Sequence, residues 1–197
     1  MSVRFEKVLI ADERFESAGF MDVENDGILD IVSGEWWYRG PDFRERYPVG
    51  PVRTEGEYYN DFSTIPMDVN GDGYTDVITG GWWGNNLRWR ENPGRRGARW
   101  PEHVIAETGN VETTRGWDID GDGELEIIPN CPSGPLTIYT LEKDSGGRGT
   151  GSFCAHIVRR EPQGHGLGAG DITGNGRTDI VLTTGWLEAP RRPLQEE

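Results

Sequence analysis

The sequence predicts an all-β chain of repeated four-stranded antiparallel sheets, and three observations carry that prediction. Gly at 29 residues and Pro at 12 among 197, with a mean hydropathy of −0.66, suit many short strands and turns and do not suit a helical bundle. Four nine-residue segments align without gaps: DVENDGILD from Asp22, DVNGDGYTD from Asp68, DIDGDGELE from Asp118 and DITGNGRTD from Asp171. Their starts lie 46, 50 and 53 residues apart, the spacing of one four-stranded sheet per repeat. A chain with this period is expected to form a β-propeller of four-stranded antiparallel blades, with about three and a half blades present.

Each Asp-rich segment is followed by an apolar run (DIVSG, DVITG, EIIPN, DIVLT), and three of the four then reach Trp36–Trp37, Trp82–Trp83 and Trp186. In the second repeat a first strand ends near Ile65–Asp68, and the loop turns the chain into a strand over Asp76–Trp82. A third strand follows at Leu87–Glu91, and the alternating segment Trp100–Ala106 forms the fourth. Phe153–Val158 repeats the fourth-strand pattern, and Phe5–Ile10 resembles it at the N-terminus. Residues 1–10 are thus expected to be the fourth strand of a preceding or closing blade. Blades follow at 17–57, 58–108, 112–160 and 164–190, with 191–197 a tail. Such an open array leaves apolar faces at its ends, so the chain is expected to be part of a larger propeller or to self-associate.

A formal net charge of −14 argues against a nucleic-acid partner, which needs a basic surface. No stretch has the length of a membrane span, and Met1–Ile10 lacks the apolar block of a secretory signal. The chain is expected to be cytoplasmic, or secreted with its leader absent. Cys131 and Cys154 match no zinc spacing and are expected to be two buried free thiols rather than a disulfide.

Much of the acidity falls in the four loops, where clustered carboxylates repel one another unless a cation is present. A hard divalent ion takes six to eight oxygens. Positions 1, 3 and 5 of DxNxDGxxD set side-chain oxygens on one side of a tight turn, position 7 offers a carbonyl and position 9 another acid. Gly at position 6 takes a conformation that side chains disfavour. The expected ligands are Asp22, Glu24, Asp26 and Asp30 in the first loop, and Asp68, Asn70, Asp72, Tyr74 and Asp76 in the second. The third offers Asp118, Asp120, Asp122, Glu124 and Glu126; the fourth, with fewer acids, offers Asp171, Thr173, Asn175 and Asp179. Position 12, where an EF-hand needs Glu, is Ser33, Thr79, Pro129 and Leu182, which excludes that helix–loop–helix motif.

These loops with their following strands resemble the FG-GAP/VCBS repeats of β-propellers, including the calcium-binding blades of integrin α-subunits. The resemblance implies Ca²⁺, with Mg²⁺ the alternative, in a structural role between the first and second strands of each blade.

The loops at the opposite end of the blades carry different chemistry. They hold Trp36, Trp37, Tyr38 and Arg39; Tyr58, Tyr59, Asn60 and Asp61; Trp82, Trp83 and Asn85; Glu112 and Arg115; His165; and Trp186 and Glu188. Aromatic rings among carboxylates, amides and a His suit a carbohydrate, or a protein partner. Trp36, Trp82 and Trp186 recur at one register and are expected to fill gaps between blades. Trp37 and Trp83, with Tyr58, Asp61 and Arg115, are the ligand-binding candidates. His165, in the Gly-rich loop 164–168, is a candidate general base or metal ligand. Residues 164–190 are also similar to propeller proteins related to aldos-2-ulose dehydratase, which implies a lyase acting on oxidised sugars with His165 and Glu188 as catalytic candidates. A calcium-stabilised binding module and a sugar lyase are thus the two functional expectations.

Overall fold

The computed structural model describes residues 3–190, and every regular element among them is a β-strand. The first sheet runs β1 (Gly19–Met21), β2 (Asp30–Ser33), β3 (Trp36–Tyr38) and β4 (Arg46–Pro48), each antiparallel to its neighbour. A two-stranded hairpin, β5 (Thr54–Glu55) and β6 (Tyr58–Tyr59), leads into the second sheet. That sheet orders β7 (Ile65–Met67), β8 (Asp76–Gly80), β9 (Asn86–Arg90) and β10 (Glu102–Glu107) in the same way. The third contains β11 (Thr113–Trp117), β12 (Glu126–Asn130), β13 (Leu136–Lys143) and β14 (Gly149–Arg159). The fourth has three strands among the described residues: β15 (Leu167–Gly170), β16 (Asp179–Leu182) and β17 (Gly185–Leu187).

The strand sequences account for their places in the sheets. Asp76–Gly80 and Glu126–Asn130 are buried at every position, so both faces of these inner strands are covered, with Val77, Ile78, Ile127 and Ile128 at their centres. Glu102–Glu107 is mostly exposed, as an outer strand rich in charge should be. Successive sheets pack face to face in chain order. Met21, Val32 and Trp37 meet Val77 across the first pair, and Ile78 and Leu87 meet Ile127 and Tyr139 across the second. Ile128, Leu136 and Ile138 meet Ile180 and Leu182 across the third. Each fully buried aliphatic side chain contributes about 1.5–3 kcal/mol. The first strands of three sheets also adjoin. A Cβ on Gly19 would lie 2.9 Å from the Thr64 methyl, and one on Gly116 would lie 3.0 Å from Ile65.

One expectation is corrected here. Phe5–Ile10 forms no strand and closes no sheet; Phe5 is 92% exposed and Leu9 77%. Alternation alone cannot hold an extended segment to which no sheet edge offers hydrogen bonds. The hairpin at 54–59 was also not foreseen; its turn needs only Gly56, which has φ +63°. The predicted tail at 191–197 and Met1–Ser2 lie outside the described residues.

The third sheet differs in shape from the others. Its outer hairpin, β13–β14, is long, and it folds over the Asp-rich loop of the preceding sheet. Gly151 N donates to Val69 O at 2.9 Å, and a Cβ on Gly149 would fall 2.4 Å from that same oxygen.

Candidate metal centre and aromatic face

The four Asp-rich loops share one hydrogen-bond plan. The position-1 carboxylate folds back on its own turn: Asp22 accepts from the amides of Asp26 (3.0 Å) and Gly27 (2.7 Å). Asp68 accepts from Gly71 and Gly73, Asp118 from Gly121 and Gly123, and Asp171 from Asn175 and Gly176. Short Asx turns continue the curl, with Asp72 accepting from Tyr74 N and Asp122 from Glu124 N, both at 2.8 Å. Gly27, Gly73, Gly123 and Gly176 at position 6 all have φ between +81° and +92°, the left-handed region that glycine enters at least cost.

The position-9 acid is the most buried part of each loop. Asp30, Asp76, Glu126 and Asp179 are at most 3% exposed. Three of them use both oxygens on backbone amides. Asp76 takes Val69 N (2.8 Å) and Asn92 N (2.8 Å); Asp30 takes Val23 N and Gly40 N; Asp179 takes Ile172 N and Ala189 N. One donor of each pair lies in the loop itself and the other just beyond the third strand, so the acid staples one to the other. Glu126 differs. It accepts from Ile119 N at 2.9 Å and, among the described residues, from no second amide; the third strand of its sheet, β13, runs on to Lys143 where the others end within five residues.

Around Glu126 the acids converge. Ligand oxygens of Asp118, Asp120 and Glu126 all lie within 4.8 Å of one another, a spacing that one hard cation can bridge. Desolvation pushes the Glu126 carboxyl up to about 7, and it does the same to Asp76. In the second loop Asn70 donates to Asp72 at 3.2 Å. Thr173 in the fourth supplies no carboxylate, and Glu124 pairs with Lys143 at 2.6 Å. Glu24, expected as a ligand, is instead held by two guanidinium groups: Arg39 at 2.9 Å and Arg96 at 2.7 Å. These partners hold its carboxyl below the usual range.

At the other end of the sheets the structure brings together some of the expected residues and separates others. Tyr58 and Trp83 stand with ring centroids 5.6 Å apart, and Phe62 meets Trp83 edge-on at 5.9 Å. Tyr58 is 57% exposed. Asn60 fixes the Trp83 turn by accepting from Trp83 N (2.9 Å) and Gly84 N (3.2 Å), and Arg53 donates to Trp83 O at 3.1 Å. Arg115 lies on the exposed face of β11, in an open cleft of about 530 Å³ that Phe62 also lines.

Trp37 and Asp61 do not belong to this surface. Trp37 is 1% exposed and stacks on Tyr47 at 4.8 Å; its parity on β3 points it into the neighbouring sheet, while Trp36 lies under the Arg46 guanidinium. Asp61 is buried, accepting from Thr79 Oγ1 with Arg90 3.7 Å away. Arg39 likewise reaches the Asp-rich end, through Glu24. His165 and Glu188 are not a pair: the chain reverses through β16 and β17, which sets Glu188 beside Asn175 and Arg177, both at 3.3 Å. His165 Nδ1 donates instead to Glu112 Oε2 at 2.6 Å, and its ring stacks on Trp82 at 6.0 Å. Asn130 positions that loop, its side chain bonding Gln163, Gly164 O and Gly166 N. Sequence reasoning missed the buried asparagines Asn92 and Asn130. Asn130 had one signal, a polar residue closing the apolar strand run EIIPN, and Asn92, after the charged segment RWRE, had none.

Residues 68–129 match the family model described as the FG-GAP-like repeat. The match takes in the second and third loops, the strands β8 to β11 between them and most of β12. No curated protein shows significant similarity to the chain. Among solved structures that match is a lectin from Agrocybe aegerita, described as specifically recognising non-reducing terminal N-acetylglucosamine. It has a TM-score of 0.49 and 19% identity, over 84% of this chain and 46% of the lectin. The chain thus spans less than half the length of that structure. No helix among the described residues is long and apolar enough to cross a membrane.

Proposed function

We propose that the chain is a calcium-binding β-propeller repeat module in which the metal is structural and the aromatic face binds carbohydrate. The convergence of Asp118, Asp120 and Glu126 supports the metal half. Those three residues would hold the ion with carbonyl oxygens of the loop, and the ion would neutralise acids that otherwise repel. Successive sheets with adjoining first strands support the radial arrangement. Exposed Phe20 on the first sheet, and Val181 and Trp186 on the last, support self-association of its ends. A molecular mass in solution matching one chain counts against that association.

The pairing of Tyr58 with Trp83 carries the carbohydrate half. Two amphipathic rings at a fixed angle, with Arg53 and Arg115 nearby, offer faces for sugar C–H groups and donors for hydroxyls. The test is a glycan array read with wild type and Trp83→Ala at matched folding. Binding to a defined set of glycans, weakened at least tenfold by the substitution, is expected. No glycan bound, or equal binding by both, removes this reading and leaves a protein partner for the face.

One observation favours a second reading, a sugar lyase: the His165–Glu112 bond. A neutral imidazole oriented by a carboxylate has its other nitrogen free to take a proton. Loss of water from an oxidised sugar, followed by its ultraviolet absorbance and abolished in His165→Ala, tests it.

A further inference from the structure

The first Asp-rich loop differs from the others in its charge partners. Arg96 donates from Nε to Glu24 Oε1 and from Nη2 to Glu24 Oε2, both at 2.7 Å. Arg39 Nε adds a bond to Oε2 at 2.9 Å, and its Nη2 lies 3.6 Å from Asp26 Oδ2. Both oxygens of the position-3 acid are therefore taken by guanidinium donors in the forked geometry that carboxylates favour most. Neither arginine is a stray surface group. Arg39 is fixed through its own backbone, with N donating to Glu45 O and O accepting from Phe43 N. Arg96, from the turn between β9 and β10, sits over the Tyr47 ring at 5.4 Å.

The corresponding position-3 side chains are Asn70, Asp120 and Thr173, and among the described residues none of these pairs with an arginine. Arg177, inside the fourth loop, turns to Glu188. A divalent ion entering the first loop through Glu24 would have to displace a bidentate guanidinium and sit within a few ångströms of two fixed positive charges.

We infer that the first loop carries its cation within the chain, as the Arg39 and Arg96 guanidinium groups, and that divalent ions are taken only by later loops. The second half of this statement rests on the calcium reading above. The arginine arrangement also joins two repeats: Arg96 belongs to the second sheet and Glu24 to the first, and Asn25 Nδ2 reinforces the joint by donating to Gly73 O at 2.7 Å.

The test has two arms. In chelator, Glu24→Gln removes the charge that the arginines grip, and the melting temperature is expected to fall by about 2–4 °C; Arg96→Gln should do the same. In equilibrium dialysis with calcium, Glu24→Gln is expected to bind as many ions as wild type, while Asp120→Asn binds one fewer. The inference is overturned if Glu24→Gln loses an ion, or if neither Glu24→Gln nor Arg96→Gln changes melting in chelator. If wild type takes up no calcium at all, the calcium reading fails, and the arginine clamp is judged by the chelator arm alone.

Discussion

The carboxylate of Asp76 accepts the backbone amide of Asn92, sixteen residues further on, at 2.8 Å, while its other oxygen holds Val69 N. A residue that reads as a metal ligand is thus first of all a staple between a loop and the chain leaving the third strand. Asp76→Ala, measured in chelator so that no ion contributes, should cost about 2–4 kcal/mol, because two buried amides lose their acceptor. Urea unfolding checks this; a midpoint equal to that of wild type rules the staple out.

Calcium should raise the melting temperature through its linkage to the folded state. Asp120→Asn should remove part of that rise with little change in chelator, since among the described residues Asp120 bonds only to the amide of Asp122. Differential scanning calorimetry with and without calcium reads both numbers. Identical curves for wild type in the two conditions dispose of the structural metal.

Mild acidity should act in the same sense as calcium. Burial raises Asp76 and Glu126 to about 7 from ordinary values of 3.8 and 4.5. The folded state therefore binds more protons than the unfolded one across that interval. The resulting stability is fully present below about pH 4 and is lost as pH rises through about 7. In chelator the melting temperature should be higher at pH 5.5 than at pH 7.5, and Asp76→Asn with Glu126→Gln should flatten the difference.

Gly149 lies where β14 passes over the second loop. A methyl group there would meet Val69 O at 2.4 Å, and Gly149→Ala should cost about 1–3 kcal/mol. Gly170→Ala, where a Cβ meets nothing within 4 Å, is the control in the same unfolding assay.

The two tryptophans assigned to ligand binding from sequence should part company. Trp37→Ala should cost about 3–5 kcal/mol by opening the first core. Trp83→Ala, at the surface turn, should leave unfolding nearly unchanged.

That split shows what was legible. The Asp-rich loops, the β-branched strands after them and the positive-φ glycines were readable because each is a local pattern with one physical solution. Side-chain direction was not. Trp37 and Trp83 hold equal places in their repeats, yet Trp37 lies inside a three-residue strand and Trp83 in a turn beyond β8, so equal spacing yields opposite environments. Asp61 looked available because nothing in its neighbourhood announces Arg90, which arrives from a different strand. Glu188 was assigned to the wrong end of its sheet because the tight turn at 183–184 sends the chain back sooner than assumed. Phe5–Ile10 has the right alternation, but pairing depends on a free edge, which no segment encodes by itself.

The staples and the arginine clamp also differ in when they can form. Asp76 reaches partners seven and sixteen residues away, so this turn can lock while the polypeptide is still emerging from the ribosome. Glu24 waits for Arg96, seventy-two residues downstream. The opening repeat is therefore finished only after its successor has been synthesised, and a ribosome stalled between the two would leave Glu24 with Arg39 but without the bidentate Arg96.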